Sequence, residues 1–305
     1  MDVNQEQYYR NDELKIYRGE DFVVSKHIIL HQPILDEICD YGEQEYYTMI
    51  YNLTATPQFL KAQLWDIGID YTEITPYELF YKILYKMYPK EKTSIIFGDL
   101  DFSKFQILKK EKDDSIYLNQ DIYMGDIYSL DNELLYHFSG LEDAARFINC
   151  TIDELLYELN TSRIYGDYVL KNIQMDSIEI DEFTYNVIVD YICKSHFIKR
   201  DFKQPANNST KLALIEDARE EANQRKDKEY HSQLKNLIST MINSNGFKYN
   251  HEEVWHMKIN AFMDSVKRIS KIKSADLLLQ SGYSGFGVNL KEISDKQIDW
   301  LGELD

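Results

Sequence analysis

The chain has 305 residues, of which 44% are hydrophobic and 13% aromatic, so it can bury two or three cores and is not of the intrinsically disordered class. Its 34 basic and 52 acidic residues give a net charge of −18, which favours basic partners and disfavours nucleic acids and anionic membranes. The three cysteines, Cys39, Cys150 and Cys193, are far apart and odd in number, which predicts reduced thiols rather than disulfides. No apolar signal region and no run of about 18 apolar residues occur, so we expect a soluble protein made in the cytosol.

The predicted elements begin in an N-terminal domain of mixed structure, residues 1–120, which resumes at residues 176–199. A polar lead-in comes first, and the alternating pattern of FVVSKHIILH (22–31) then predicts a strand. Helical periodicity predicts four short helices, at 34–39, 43–51, 57–66 and 76–88. Strand patterns return in three segments, SIIFGDL, KFQIL and SIYLN, within 93–119.

Two of these predicted helices begin with Thr-Pro, at Thr56-Pro57 and Thr75-Pro76. Threonine is a good cap residue, and proline fits the first helical position because its missing N–H has no partner there in any helix. Glu78 stands three residues after Thr75 and completes a capping box. These signals therefore predict helix starts at both places.

Residues 121–175 are predicted to be an inserted module: a hairpin, two helices and a closing strand, GDYVL. Both helices begin with the spacing of a capping box, Ser139 before Glu142 and Thr151 before Glu154. Asn149 lies between the helices, where a helix-turn-helix needs a residue that tolerates the left-handed conformation. The sequence therefore predicts a helix-turn-helix-like module.

The module resembles, over residues 127–170, the small helix-turn-helix domains attached to homing-type nucleases, but its charge differs from a DNA-reading surface. The second helix, Thr151 to Asn160, has three acidic residues and no Lys or Arg. Residues 121–175 hold ten acidic and three basic residues, a net of −7. Because phosphate neutralisation supplies most non-specific DNA affinity, we expect a protein-contact module, with DNA binding as the alternative.

Residues 200–210 read as a linker, and residues 211–305 as a helical C-terminal domain. Two long helices are predicted there, at 211–242 and 251–279, followed by a short helix near Trp300. The first long helix has few apolar residues and is expected to bridge solvent or to need a partner. The fold class is therefore α+β: a mixed N-terminal domain, an inserted hairpin–helix–helix module and a helical C-terminal region.

Candidate sites for chemistry do not have the spacing that their chemistry requires. His27 and His31 would lie about 13 Å apart in a strand, too far for one metal ion. His251 and His256 are spaced i, i+5, whereas the helical zinc-protease motif needs i, i+4. The glycines of GYSGFG (282–287) follow a helix, whereas nucleotide loops and nucleophile elbows follow a strand. We therefore predict no enzyme, no cofactor and no metal.

One local cluster of basic residues occurs on the second long helix, opposite its apolar stripe: Lys267, Arg268, Lys271 and Lys273. A solvated helix face is the simplest interpretation. The alternative is a contact with an acidic partner, which could be the acidic part of this same chain.

Two outer segments resemble non-enzymatic proteins from the tail-module gene clusters of phages and prophages of low-GC Gram-positive bacteria, of the tail or baseplate assembly (assembly-chaperone-like) type. The N-terminal segment is IYRGEDFVVSKHIILHQPILDEICDYGEQEYYTMIYNLTATP followed by DIGIDYTEITPYELF. The C-terminal one is YNHEEVWHMKINAFMDSVKRISKIKSADLLLQSGYSGFG with the closing QIDWLGEL. The resemblance covers apolar, Gly-Glu and Trp positions rather than a catalytic signature.

This resemblance implies a structural or chaperone-like protein that binds other phage tail or baseplate proteins, in the host cytoplasm during assembly or in the virion, with homo-oligomers as a further option. Nucleic acid and membrane are not expected partners. The aromatic residues that such contacts would use are Tyr46, Tyr47, Trp255, Phe262 and Trp300, and the alternative for each is a place in the core. The competing function is a DNA-binding or regulatory protein that uses the helix-turn-helix-like module.

Overall fold

The computed structural model describes residues 12–226, 229–284 and 293–304. Helices and strands both occur in quantity, and the α+β class is confirmed. By packing, residues 103–185 form one compact unit, and the described residues of 1–102 and 186–305 form a second, larger unit. The predicted domain boundaries stay a prediction. The lead-in at 1–11 and the glycine segment at 285–287 lie outside the described residues.

The larger unit is mainly helical, with one small hairpin. Its elements in chain order are α1 (Asp12–Arg18), β1 (Phe22–Ser25), β2 (Ile28–Leu30), α2 (Leu35–Tyr41), α3 (Glu43–Leu53), α4 (Lys61–Asp66), α5 (Pro76–Leu79), α6 (Lys90–Phe97), α10 (Asn208–Lys226), α11 (Gln233–Ile242), α12 (Ile259–Tyr283) and α13 (Asp295–Ile298). The chain passes from the smaller unit into the larger one within α9 (Glu182–His196), at whose start Thr184 N–H donates to the Asp181 carboxylate.

The predicted strand at 22–31 is instead a hairpin. β1 and β2 pair antiparallel with Phe22 opposite Leu30, and the chain turns at Lys26-His27. Ile28 and Leu30 are buried, and Phe22 is half-buried with its ring stacked on Tyr191 at 4.8 Å between centroids. The predicted alternation of apolar and polar residues is present, but the two polar residues at its centre, Lys26 and His27, form a turn that divides the segment into two strands.

The predicted strand SIIFGDL is wrong, since α6 occupies most of it. Pro89 precedes the helix with its φ fixed at −65°, and Gly98 ends it with a φ of +58°. The buried residues Thr93, Ile96 and Phe97 follow helical rather than alternating spacing. The short apolar run fits both structures, and these flanking residues decide for the helix.

Of the two helix starts predicted at Thr-Pro, the structure has the one at Pro76 and not the one at Pro57. At Thr75 the capping box is formed, with Thr75 Oγ1 accepting from Glu78 N–H and Glu78 accepting from Thr75 N–H. The helical segment then continues from α5 through a π-turn at Phe80–Leu84 and a 3₁₀ turn at Tyr85–Met87. At Pro57 the chain makes only turns, and the helix begins later, at Lys61.

The single helix predicted at 211–242 is wrong, because α10 and α11 are separate. Ser232 caps α11 by accepting from Lys235 N–H. The Glu43 carboxylate also accepts from Gln233 and Leu234 N–H, at 3.0 and 2.8 Å. A distant carboxylate therefore satisfies free donors at a helix start that the local pattern alone did not reveal.

Helix α10 is held largely by charge. Among its side chains that the structure describes, Ile215 alone is buried. Lys211 Nζ binds the Asp70 carboxylate at 2.6 Å and lies over the Trp65 ring, and Arg219 pairs with Asp66. The Lys211 hydrogen bond lowers the pKa of Asp70 to about 2. These contacts therefore pack this polar helix against α4 and the loop that follows it.

The second predicted long helix begins eight residues later than expected, at Ile259. Its first part forms instead a 3₁₀ turn, Glu253–His256. The break is stabilised by backbone pairing across the unit: Leu35 N–H donates to Met257 O, and Ile259 N–H donates to Pro33 O. The extended pair at Ile34 and Lys258 is therefore incompatible with a continuous helix.

The smaller unit is an antiparallel sheet with two helices. Its elements are β3 (Gln106–Lys109), β4 (Ile116–Ser129), β5 (Leu134–Ser139), α7 (Leu141–Ile148), α8 (Ile152–Asn160), β6 (Ile164–Tyr165) and β7 (Tyr168–Ile180). The order is β3-β4-β7-β6, and β5 also pairs with β4. The core lies between the sheet and the helices and comprises Ile127, Phe138, Ala144, Ala145, Ile148, Leu155, Leu159 and Leu170.

The helix-turn-helix geometry is confirmed at two of its three predicted signals. Asn149 is left-handed, with φ +61° and ψ +52°, and Thr151 with Glu154 forms a capping box. The box predicted at Ser139 is wrong: Ser139 is the last residue of β5, and Gly140 precedes α7 with a φ of +130°. Gly140 N–H donates to Tyr123 O, which turns the chain sharply from strand to helix.

Candidate interaction surface

The five aromatic residues singled out from the sequence lie in different environments. Tyr46 and Phe262 are fully buried, Tyr47 and Trp255 are half-buried, and Trp300 is 47% exposed. The structure therefore assigns the first two to the core of the larger unit. A contact surface can use the other three, and they lie on three different elements: α3, the 3₁₀ turn and the segment after α13.

Tyr46 is tied into a buried polar pair. Its hydroxyl donates to His196 Nε2 at 2.5 Å, while His196 Nδ1 lies 2.8 Å from Ile192 O and 2.9 Å from Ser195 Oγ. Burial lowers the pKa of His196 to about 4. The imidazole is therefore neutral, with its proton on Nδ1, and its Nε2 accepts the hydrogen bond from the tyrosine hydroxyl. This pair is a satisfied core contact.

An aromatic series runs from this core to the surface along α3. Successive ring centroids are 5.3 Å apart for Tyr46 and Tyr47, 6.3 Å for Tyr47 and Tyr51, and 6.4 Å for Tyr51 and Phe59. The outer two rings stack with an interplanar angle of 21° and are 48% and 56% exposed. The face formed by Tyr47, Tyr51 and Phe59 is called here the aromatic surface.

Tyr230 lies beside this surface. Burial raises the pKa of Tyr230, and Glu43, which caps α11, raises it further. Burial also raises the pKa of Tyr47, and the neighbouring Glu43, Tyr51 and Tyr230 add to that shift. Tyr230 is 47% exposed. Neutral phenols with one apolar face and one hydrogen-bonding tip are the side chains that protein interfaces favour.

The predicted basic cluster on α12 has a structural role. Arg268 Nη1 donates to the carbonyls of Trp300 and Gly302, both at 2.8 Å, and Lys271 Nζ donates to Glu303 O at 2.7 Å. Lys267 lies over the Phe197 ring, and Lys273 binds Ser244 Oγ. These cations bind backbone, hydroxyl and aromatic groups of the chain itself. Neither a solvated helix face nor a contact with an acidic partner therefore describes the cluster fully.

Helix α8 of the smaller unit exposes acidic and apolar side chains. Tyr157 is 67% exposed and Ile152 38%, and Asp153 and Glu154 are also on the surface. Glu154 accepts from Thr151 in the cap, which lowers its pKa. The helix that would enter a DNA groove therefore exposes acidic side chains, as its sequence indicates.

In the ranges that the structure describes, no group of three or more His, Cys, Asp or Glu side chains is placed to hold one metal ion. The described helices include none with the length and apolarity needed to cross a bilayer. On the sheet of the smaller unit, His137 and Asn172 both donate to Asp126 and lower its pKa. This arrangement orients a carboxylate and includes no nucleophile.

Sequence reasoning missed Tyr51, Phe59 and Tyr230. Tyr47 and Tyr51 are spaced i, i+4 on a helix, which places them on one face, and this signal was available. Phe59 follows Pro57 in a turn, and Tyr230 lies just before α11, whose first backbone donors Glu43 binds. Those two could not be found from local patterns.

Comparison with known protein families gives a match at the C-terminal end of the chain. The family model described as YomV second domain matches residues 224–305, about a quarter of the chain, and this family name is associated with phages and prophages. No curated protein matches the chain. No solved structure matches it either. The matched segment contains α11, the 3₁₀ turn with Trp255, α12 and α13, and it is similar to a phage-associated family.

Proposed function

We propose that this chain is a non-catalytic phage structural or assembly protein of the tail or baseplate module. It acts by binding other phage tail or baseplate proteins, in the host cytoplasm during assembly or within the virion. The aromatic surface carries the proposal: three stacked or tilted rings, partly exposed, continue directly into the core. Rings anchored in this way lose little conformational freedom on binding, as interface hot spots require.

The family match supports the phage part of the proposal. Residues 224–305 include Tyr230, and Glu43 of α3 caps α11 within the same segment. The aromatic surface thus lies where the matched segment packs on the helix that carries Tyr47 and Tyr51. The tail or baseplate role itself rests on the sequence resemblance of the outer segments.

The proposal is tested by removing the exposed rings. A double variant, Tyr51→Ser with Phe59→Ser, is co-expressed with the tail and baseplate proteins of the same phage or prophage, and complexes are purified by a tag. Because both side chains are about half exposed, the fold is expected to persist while complex yield falls at least about tenfold.

The matched control is Ile67→Ser with Met87→Ser, which removes two exposed apolar side chains elsewhere on the same unit (62% and 53% exposed). It is expected to leave complex formation unchanged. Equal loss in both double variants, or no loss in either, contradicts the assignment of the aromatic surface.

The second candidate function is DNA binding or regulation through the smaller unit. The observation that favours it is the left-handed Asn149 between two helices of helix-turn-helix spacing. It predicts a salt-sensitive gel shift that is lost in Arg163→Gln, since phosphate contacts release counterions. The acidic exposed face of α8 argues for the assembly role, which predicts no shift at low salt.

A further inference from the structure

A groove of about 460 Å³ lies in the larger unit along the last turns of α9 and the segment after it. Its apolar wall includes Val189, Ile198 and the ring of Phe202, which is 55% exposed. Arg200 also lines the groove, with its guanidinium over the Phe202 ring at 5.0 Å. The size is that of sites that take one or two side chains or a small ligand.

Arg200 is fixed at one end and unsatisfied at the other. Its Nε–H donates to Thr54 O at 3.1 Å, which orients the guanidinium. Nη2 is shielded from solvent and has no hydrogen-bond acceptor. Among the described residues, no carboxylate forms an ion pair with it. A cationic donor shielded from water without an acceptor is unfavourable, and an anionic acceptor with planar geometry suits a guanidinium best.

The titratable groups that line the groove sum to a net charge of +1, which Arg200 carries. Asp190 and Lys194 form an ion pair at 2.8 Å and cancel each other. Burial raises the pKa of Cys193 to about 11, so the thiol is neutral. Arg200 is therefore the uncompensated charge at this place on a chain whose net charge is −18.

We infer that this groove binds an acidic side chain of a partner protein, with its carboxylate on Arg200 and an adjoining apolar side chain against Phe202 and Ile198. The inference rests on the proposed function, because it names the chemistry that the partner presents. Thr54, which holds Arg200, follows α3 directly, so the groove lies beside the end of the helix that carries the aromatic surface.

The probes are two capped tripeptides, acetyl-Leu-Glu-Leu-amide and acetyl-Leu-Gln-Leu-amide, titrated into the full chain and followed by NMR chemical shifts. The glutamate peptide is expected to bind at least about tenfold more tightly, because only it has a charge for the guanidinium. In Arg200→Gln the two peptides should bind equally weakly. Lys199→Gln removes a neighbouring exposed charge and should preserve the difference.

Equal binding of the two peptides to the unaltered chain overturns the inference, whatever the stability of the Arg200 variant. The inference is also overturned if inorganic phosphate shifts the same signals and binds with higher affinity than the glutamate peptide, because the site would then be one for free anions. The aromatic variants separate this from the proposed function: if peptide discrimination fails while Tyr51 and Phe59 remain essential for the complex, only the groove assignment is wrong.

Discussion

At the scale of single residues, the buried pair of Tyr46 and His196 makes stability depend on pH. The unfolded chain binds a proton on this histidine near its usual pKa of 6.5, whereas the folded chain does so only near 4. Between these values the unfolded state holds more protons, so lowering the pH favours unfolding. The contribution of the neutral histidine to the free energy of unfolding is fully present above about pH 6.5 and is lost as the pH drops towards 4.

We therefore expect the free energy of unfolding to fall by about 2–3 kcal/mol more between pH 7 and pH 4.5 in the unaltered chain than in His196→Gln. Glutamine can accept the Tyr46 hydrogen bond and does not titrate. Urea unfolding of both proteins at the two pH values measures the difference. Parallel losses in the two proteins would mean that groups other than His196 account for acid sensitivity in this pH range.

The residue scale is also where sequence reasoning was least able to choose between core and surface. Tyr46 and Tyr47 are adjacent and of the same type, yet one is fully buried and the other half-buried. Adjacent positions on a helix point about 100° apart, and tyrosine tolerates either environment. Only the packing of α3 against α9 decides which ring reaches the histidine.

At the scale of elements, the start of α8 and the start of α7 offer a matched comparison. Both were predicted to carry capping boxes, and only Thr151 accepts from the backbone of its helix. Thr151→Ala is expected to lower the free energy of unfolding of the smaller unit by about 1 kcal/mol, because it leaves a helix donor unpaired. Chemical denaturation followed by circular dichroism measures this.

Ser139→Ala is the control for this prediction. Ser139 is an exposed strand residue with no role as a cap, so its removal is expected to change stability by less than about 0.5 kcal/mol. A loss at Ser139 as large as that at Thr151 would show that the sequence-based cap operates after all.

Elements were predictable where the local pattern and the flanking signals agree. The hairpin, the two helices and the left-handed Asn149 of the smaller unit were found because their periodicity, caps and turn residues agree. Two errors arose where tertiary contacts accompany a helix start: Glu43 binds the start of α11, and Pro33 pairs with Ile259. Each contact comes from a residue far away in the sequence, although Ser232 directly before α11 is a local cap signal.

At the scale of the whole molecule, three observations support the proposed function: a phage-associated match at residues 224–305, an aromatic surface that reaches the core, and an acidic helix-turn-helix-like unit. In the described ranges, no group of three or more His, Cys, Asp or Glu side chains could hold one metal ion. We propose that the chain acts through contacts with other proteins, and the identity of those proteins is what the next experiment tests.

The most direct test places a photo-crosslinking side chain, p-benzoylphenylalanine, at Tyr51 or, in a second protein, at Tyr157 of α8. Both positions are exposed, at 48% and 67%. Each protein is expressed in the producing cell during phage development, irradiated and analysed by mass spectrometry. We predict crosslinks from position 51 to a tail-tube, tape-measure or baseplate protein. No protein crosslink from position 51, together with crosslinks from position 157 to DNA, would contradict this prediction.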